Sequence, residues 1–242
     1  MSVERGLLFI ADIGGYTRFM KLHKMSLAHA QDHIARLLEA VIEASPTLKL
    51  IELEGDAAFF YRPLSGGADD FVAETAARQA RAMHVAFHAR QQEMIAYNMC
   101  TCDGCTQMGK LRIKFIAHVG DVATQKVKRR TKLAGLDVIV VHRMLKNSVP
   151  VPEYILMSEP LFQHSDDLIR RLAHGIDQEL EGLGPSQTYF VELGEIIAGL
   201  APAPEVAWYG RVLATFSVTL RSLPYLLGIK KPCDGFRNLT AA

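Results

Sequence analysis

The most constraining stretch of the chain is residues 6–20, GLLFIADIGGYTRFM. Residues 7–11 are apolar without alternation, the pattern of a strand buried on both faces. Such a strand needs cover above and below, which commits the chain to a layered fold. The run closes on Asp12, and a carboxylate at the end of a buried strand costs desolvation energy unless it is paired, hydrogen-bonded or metal-bound. Gly14 and Gly15 then permit a tight turn and leave N–H groups open to an anion. A metal ion and a phosphate explain this ending most economically.

The next segments follow from periodicity. SLAHAQDHIARLLEAVIEAS has apolar residues at helical spacing, Ser26 as N-cap and Pro46 as its end. LKLIELEGDAAFFYR (48–62) reads as a hairpin turning at Glu54-Gly55-Asp56. Glu52, Glu54 and Asp56 alternate, so a regular strand would project all three from one face. Three such carboxylates need a cation, and an oxygen-rich site suits Mg²⁺ or Mn²⁺. The competing reading is that Gly55-Asp56 merely serves the turn.

Further on, a long helix is expected from about Asp69 to Met94, then a polar Cys-rich loop at 96–110 and a strand at 111–123 with Leu111, Ile113 and Phe115 on one side. A helix near 136–147, the strand YILMS, a short helix at 159–163 and a last strand at 188–193 complete the order. The class is α+β with a mixed sheet. Residues 1–200 form one domain; APAP then links to a tail (201–242) with an apolar helical stripe of Tyr209, Val212, Leu213, Phe216, Leu220 and Leu223. That stripe fits docking on the core or a partner chain, or contact with a membrane surface.

Composition narrows the classes. A net charge of +1 gives no support to a dedicated nucleic-acid binder. No uncharged apolar stretch is long enough to span a bilayer, the opening residues lack a secretory pattern, and four cysteines are too few to staple 242 residues. Together these features suggest a cytoplasmic protein.

Five segments in order resemble the class III nucleotidyl cyclases. FIADIGGYTRFM is similar to their opening F-x-D-I-x-G-F-T, and IELEGDAAFFY to K/E-x-x-G-D-A. IKFIAHVGDV resembles I-x-x-H-x-G-E-V, GLDVIVVHRM resembles G-x-x-V-N-x-A-x-R-M, and EGLGPSQTYFVEL resembles K-G-K-G-x-x-x-T-Y-x-L. The resemblance spans about residues 6–193. It implies a ferredoxin-like βαββαβ core, a homodimer with sites at the interface, and a purine nucleoside triphosphate as ligand. Asp12 and Asp56 match the metal-binding aspartates, with the carbonyl of Ile13 joining them, and Gly14, Gly15, Tyr16 and Thr17 match the triphosphate cradle. Glu52 and Lys132 match the purine-selecting positions; a glutamate accepts from guanine, which favours GTP. Arg143 matches the arginine that steadies the transition state.

Two departures bear on catalysis. Ile139 stands where the family has the ribose-orienting asparagine, and Leu183 where it has the phosphate-binding lysine. Two functions follow: a divergent cyclase, or a nucleotide-binding regulatory module that kept the metal site without efficient turnover. The basic run Lys126, Lys128, Arg129, Arg130 and Lys132 reads as a solvated loop or β-arm, or as extra charge for polyphosphate. His118 reads as structural. Cys100, Cys102 and Cys105 in CTCDGC offer Zn²⁺ three ligands, with Cys233, His84 or His88 as the fourth. A labile Cys102–Cys105 disulfide and unligated thiols are the other readings.

Overall fold

The computed structural model describes residues 3–22, 27–64, 71–100, 102–127, 130–197, 202, 204–213 and 216. Its centre is strand β1 (Val3–Gly14), flanked antiparallel by β3 (Ala57–Pro63) and β4 (Arg112–Val127). β2 (Lys49–Glu54) pairs with the outer side of β3, giving the order β2-β3-β1-β4. Helix α2 (Leu27–Glu43), preceded by the short α1 (Tyr16–Leu22), connects β1 to β2, and α3 (Val72–Tyr97) connects β3 to β4. This is the expected ferredoxin-like βαββαβ core.

The unalternated run of β1 is buried on both faces for the reason read from it. Leu7, Phe9, Ala11 and Ile13 point to the helix layer and pack with Ile34, Leu37, Val41, Met83 and Phe87. Leu8 and Ile10 point the other way, into a smaller cluster closed by α5 (Leu136–Arg143) through Val141. Apolar burial on this scale contributes roughly 1.5–3 kcal/mol per large side chain, before conformational entropy is subtracted.

Beyond the core the sheet continues through β6 (Tyr154–Ser158), parallel to β4, then β8 (Gly184–Glu192) and β7 (His174–Leu180), both antiparallel to their neighbours. β5 (Arg130–Ala134) folds back on β4 and approaches β2, so Lys126, Arg130 and Lys132 of the basic run lie on a β-arm. Helices α6 (Glu159–Phe162) and α7 (Asp167–Leu172) lie between β6 and β7, and α8 (Leu193–Ile196) follows β8.

Several expectations are corrected. α1, β5 and β7 were not anticipated; RTKLA and HGIDQEL carry too few apolar residues to announce strands. The cysteine segment is no simple loop: it forms α4 (Asp103–Gln107) and a 3-10 turn, Met108–Lys110, in which Met108 is fully buried. β2 shifts register between Leu50 and Glu52, and Asp56 lies beyond the strand in the turn. Glu52 and Glu54 keep alternate positions on β2 and are exposed, whereas Asp56, half-buried, is not a third position of that strand. In the tail, residues 208–213 are helical; Tyr209, Val212, Leu213 and Phe216 are exposed, whereas Leu220, Leu223 and Cys233 lie outside the described residues.

Candidate nucleotide and metal site

Sheet register brings the two aspartates together. Asp12 stands opposite Ala57, the residue after Asp56, and the N–H of Ile13 donates to the Asp56 carbonyl at 3.1 Å. Gly55 turns the hairpin at φ +65°, a conformation that favours glycine. Burial, then the negative charge of Asp12, pushes the Asp56 carboxyl up to about 6 from the ordinary value; its backbone hydrogen bond and Lys114 oppose the rise. On the other side of β1, Lys114 pairs with Asp12 in register, and its Nζ lies 3.1 Å from Asp12 Oδ2. The cluster is therefore two carboxylates against one ammonium, half out of water.

That balance is the test of whether a divalent cation fits. Two hard oxygen donors converge, and one resists ionising beside the other even with Lys114 present. A second positive charge relieves that strain, so the donor set suits Mg²⁺ or Mn²⁺. The side chain of Ile13 is committed to the core, which leaves only its backbone to face the site.

β1 ends at Gly14, and Gly15 turns at φ +89° before α1, with the Phe19 N–H donating to its carbonyl at 3.0 Å. Tyr16 is half-buried and Thr17 exposed at this corner. A groove runs past Gly14 and Gly15 and is bordered by Lys110, Arg112, Lys114 and Tyr154. Arg112 is spent on the carbonyls of Gly109 and Leu111, at 2.7 and 2.8 Å. Lys110, whose Nζ lies 3.4 Å from Gln107 Oε1, and Lys114, paired with Asp12, are the other cations along the groove. Sequence reasoning missed both; Lys114 alone alternates with Arg112 along β4, whereas Lys110 lies in the preceding turn.

The other expected residues lie elsewhere. Arg143, on α5, is ion-paired with Glu181, which also has Lys146 Nζ at 3.6 Å. Ile139 on the same helix is 48% exposed, and Leu183, in the turn between β7 and β8, is 36% exposed. Glu52 and Lys132 are exposed on β2 and β5, strands that approach each other. Within one chain, then, the aspartate pair and the glycine turn lie together, while Arg143 is occupied by Glu181.

The histidines have structural partners. His118 is buried, with Nδ1 2.7 Å from Ser158 Oγ and Nε2 3.0 Å from Asp137 Oδ1. Burial lowers its pKa and the Asp137 hydrogen bond opposes that shift, in keeping with a structural role. His84 and His88 turn to Glu153, at 3.2 and 2.7 Å, rather than serving the cysteines. Burial pushes Glu153 up, but the hydrogen bonds and charge of the two histidines outweigh it and hold the carboxyl at about 2. Gln91 accepts from His88 Nδ1 at 3.1 Å while its own amide donates to the Met108 and Leu111 carbonyls. Cys100, Cys102 and Cys105 stand as thiols, not disulfides, with their sulfurs within 4.8 Å of one another.

Comparison with known proteins locates the chain in a family. Residues 34–154 match the profile described as "Protein of unknown function (DUF2652)". The uncharacterized protein Rv2561/Rv2562 of Mycobacterium tuberculosis is 42% identical over 207 residues, covering 85% of this chain and 94% of that protein. The chain belongs to the DUF2652 family. Among solved structures, this DUF2652 member is similar to the guanylate cyclase domain of RhGC from Catenaria anguillulae in complex with GTP. The TM-score is 0.55 at 18% identity, over 79% of this chain and 98% of that one. A class III adenylyl cyclase-like ATP-binding protein from Pseudomonas aeruginosa gives 0.56 at 17% identity, over 70% of this chain and 36% of that one. The fold of this DUF2652 protein is that of class III nucleotidyl cyclase domains. No helix among the described residues is long and apolar enough to cross a membrane.

Proposed function

We propose that this protein binds a purine nucleoside triphosphate together with Mg²⁺ or Mn²⁺, using Asp12, Asp56 and the backbone at Ile13, without efficient turnover. The observation that carries the reading is the paired Asp12–Asp56 cluster beside the glycine turn, with Asp56 held near 6 by burial and by Asp12. A bound divalent ion supplies charge to draw in phosphate and to acidify a ribose hydroxyl. The chain's own groups do the rest. Gly14 and Gly15 offer N–H donors without side-chain obstruction, with Tyr16 and Thr17 flanking them, and Lys110 and Lys114 add positive charge along the groove. Glu52, exposed near the strand of Lys132, favours guanine through its acceptor oxygens.

Slow turnover follows from Ile139 and Leu183. Both positions are exposed, and neither side chain can orient a ribose or stabilise charge on phosphate. Losing two such groups lowers a phosphoryl-transfer rate by several powers of ten, at roughly 3–4 kcal/mol for each oxyanion-type contact. Cyclisation by a homodimer is the second reading, favoured by Arg143, which a partner's nucleotide would have to draw from Glu181. Incubation with Mn²⁺ and GTP or ATP, with products resolved by mass, separates the two. Binding without cyclic nucleotide supports the first reading, a cyclic product lost in Asp56→Ala establishes the second, and neither binding nor product refutes both.

A further inference from the structure

The cysteine segment leads directly into Lys110, which borders the groove, and its surroundings are specific. Asn98 folds the chain back after α3: its Nδ2 donates to the Cys100 carbonyl at 2.8 Å and its Oδ1 accepts from the Cys100 N–H at 2.9 Å. Cys102 opens α4 and Cys105 lies one turn later, with the Thr106 N–H donating to the Cys102 carbonyl, so the two thiols fall on one side. Cys105 is 3% exposed and meets a residue from a distant helix: His33 of α2, itself 7% exposed, has Nε2 3.4 Å from Cys105 Sγ. His33 also packs edge-on against Phe19 of α1, with centroids 6.4 Å apart.

We infer that Cys100, Cys102, Cys105 and His33 are the four ligands of a structural Zn²⁺ that ties α4 to α2. The separation between His33 and Cys105 agrees with tetrahedral zinc, where adjacent nitrogen and sulfur ligands lie about 3.6 Å apart. The three sulfurs lie within 4.8 Å of one another and would close to about 3.8 Å; His33 stands outside that group and meets it through Cys105, so Cys100 and Cys102, both exposed, must move toward the imidazole by more than about 1 Å. Three thiolates and an imidazole select a soft or borderline ion, unlike the oxygen set at Asp12 and Asp56. Four protein ligands leave no open position for substrate, which makes the site a clamp. What it clamps is specific: Gln107, Lys110 and Leu111, just past the cysteines, line a pocket with Gly15, Arg18 and Phe19. The ion thereby fixes one wall of the corner where β1 turns into α1. The inference does not depend on nucleotide binding.

Cobalt substitution of the reduced full-length protein tests it. The expected result is one Co²⁺ per chain, displaced by Zn²⁺, with the intense d–d bands of tetrahedral coordination and thiolate charge-transfer absorption. Cys100→Ser and Cys102→Ser, both at exposed positions, should each weaken binding by more than about 100-fold, since even second-shell partners of a metal are worth 10–100-fold. His33→Gln should weaken binding and shift the d–d bands, whereas Glu153→Gln should leave stoichiometry and spectrum unchanged. No Co²⁺ or Zn²⁺ binding, or binding retained in both cysteine variants, overturns the site. An unchanged spectrum and affinity in His33→Gln overturns the assignment of His33.

Discussion

At the residue scale, Asp56 should make cation binding pH-dependent. Its folded-state pKa is raised to about 6, so its contribution to stability is full below the unfolded value near 3.8 and is lost as pH rises through 6. Above that, the ionised pair destabilises the apo fold and awaits a cation. Mn²⁺ affinity should therefore rise about tenfold per pH unit up to roughly 6 and then level, as one proton is released per ion bound. Calorimetric titration from pH 5 to 8 reads this slope, and Asp56→Asn should abolish it while raising apo stability at pH 8 by about 1–2 kcal/mol. Glu153 has the opposite sign. Held at about 2 by His84 and His88, it stabilises the fold above its ordinary value of 4.5, and that contribution is lost as pH falls toward 2. Glu153→Gln should cost roughly 2–3 kcal/mol at pH 5 and progressively less below pH 4.5, read by denaturant melts across that range. Asp12 and Asp56 were legible because a carboxylate ending a buried strand is a local contradiction in the sequence. Lys114, His33 and Glu153 were not, because their partners are set by sheet register and helix packing between residues distant in sequence.

At the scale of elements, the start of α5 is pinned through Asp137. Asp137, at its start, accepts from the Asp121 N–H at 2.6 Å and meets His118, and it lies so close to Gly120 that an added Cβ would sit 2.3 Å from its Cγ. Gly120→Ala should destabilise by about 1–3 kcal/mol through overpacking at this joint, measured as a lower denaturant midpoint with unchanged slope. The elements most legible from sequence were those with strong apolar periodicity: β1, α2, the 48–62 hairpin, α3 and β6. β5 and β7 were hidden because only Leu133, Ile176 and Leu180 reach a core cluster, so RTKLA and HGIDQEL carry little pattern and the strands pair mainly through backbone. α1 was hidden by its length, since seven residues give less than two full turns of periodicity.

At the scale of the whole molecule, motif order carried the fold further than any single segment, and the solved structures agree at identities below 20%. Assembly was less legible, because a surface patch has no period. Leu136 and Ile139, 62% and 48% exposed on α5, are the large apolar pair that the homodimer proposed as the second reading would have to cover. Sedimentation should show a dimer that Leu136→Lys with Ile139→Lys converts to monomer; an unchanged species in the double variant rejects this surface. The central claim, metal-dependent nucleotide binding at Asp12 and Asp56, is tested most directly by calorimetric titration of GTP and ATP at pH 8, with Mn²⁺ and with chelator. Saturable binding that requires Mn²⁺ and is lost in Asp12→Asn and in Asp56→Asn, while both variants keep the native melting transition, is the predicted result. Binding that persists with chelator or in both variants, or no binding at millimolar nucleotide, would contradict it.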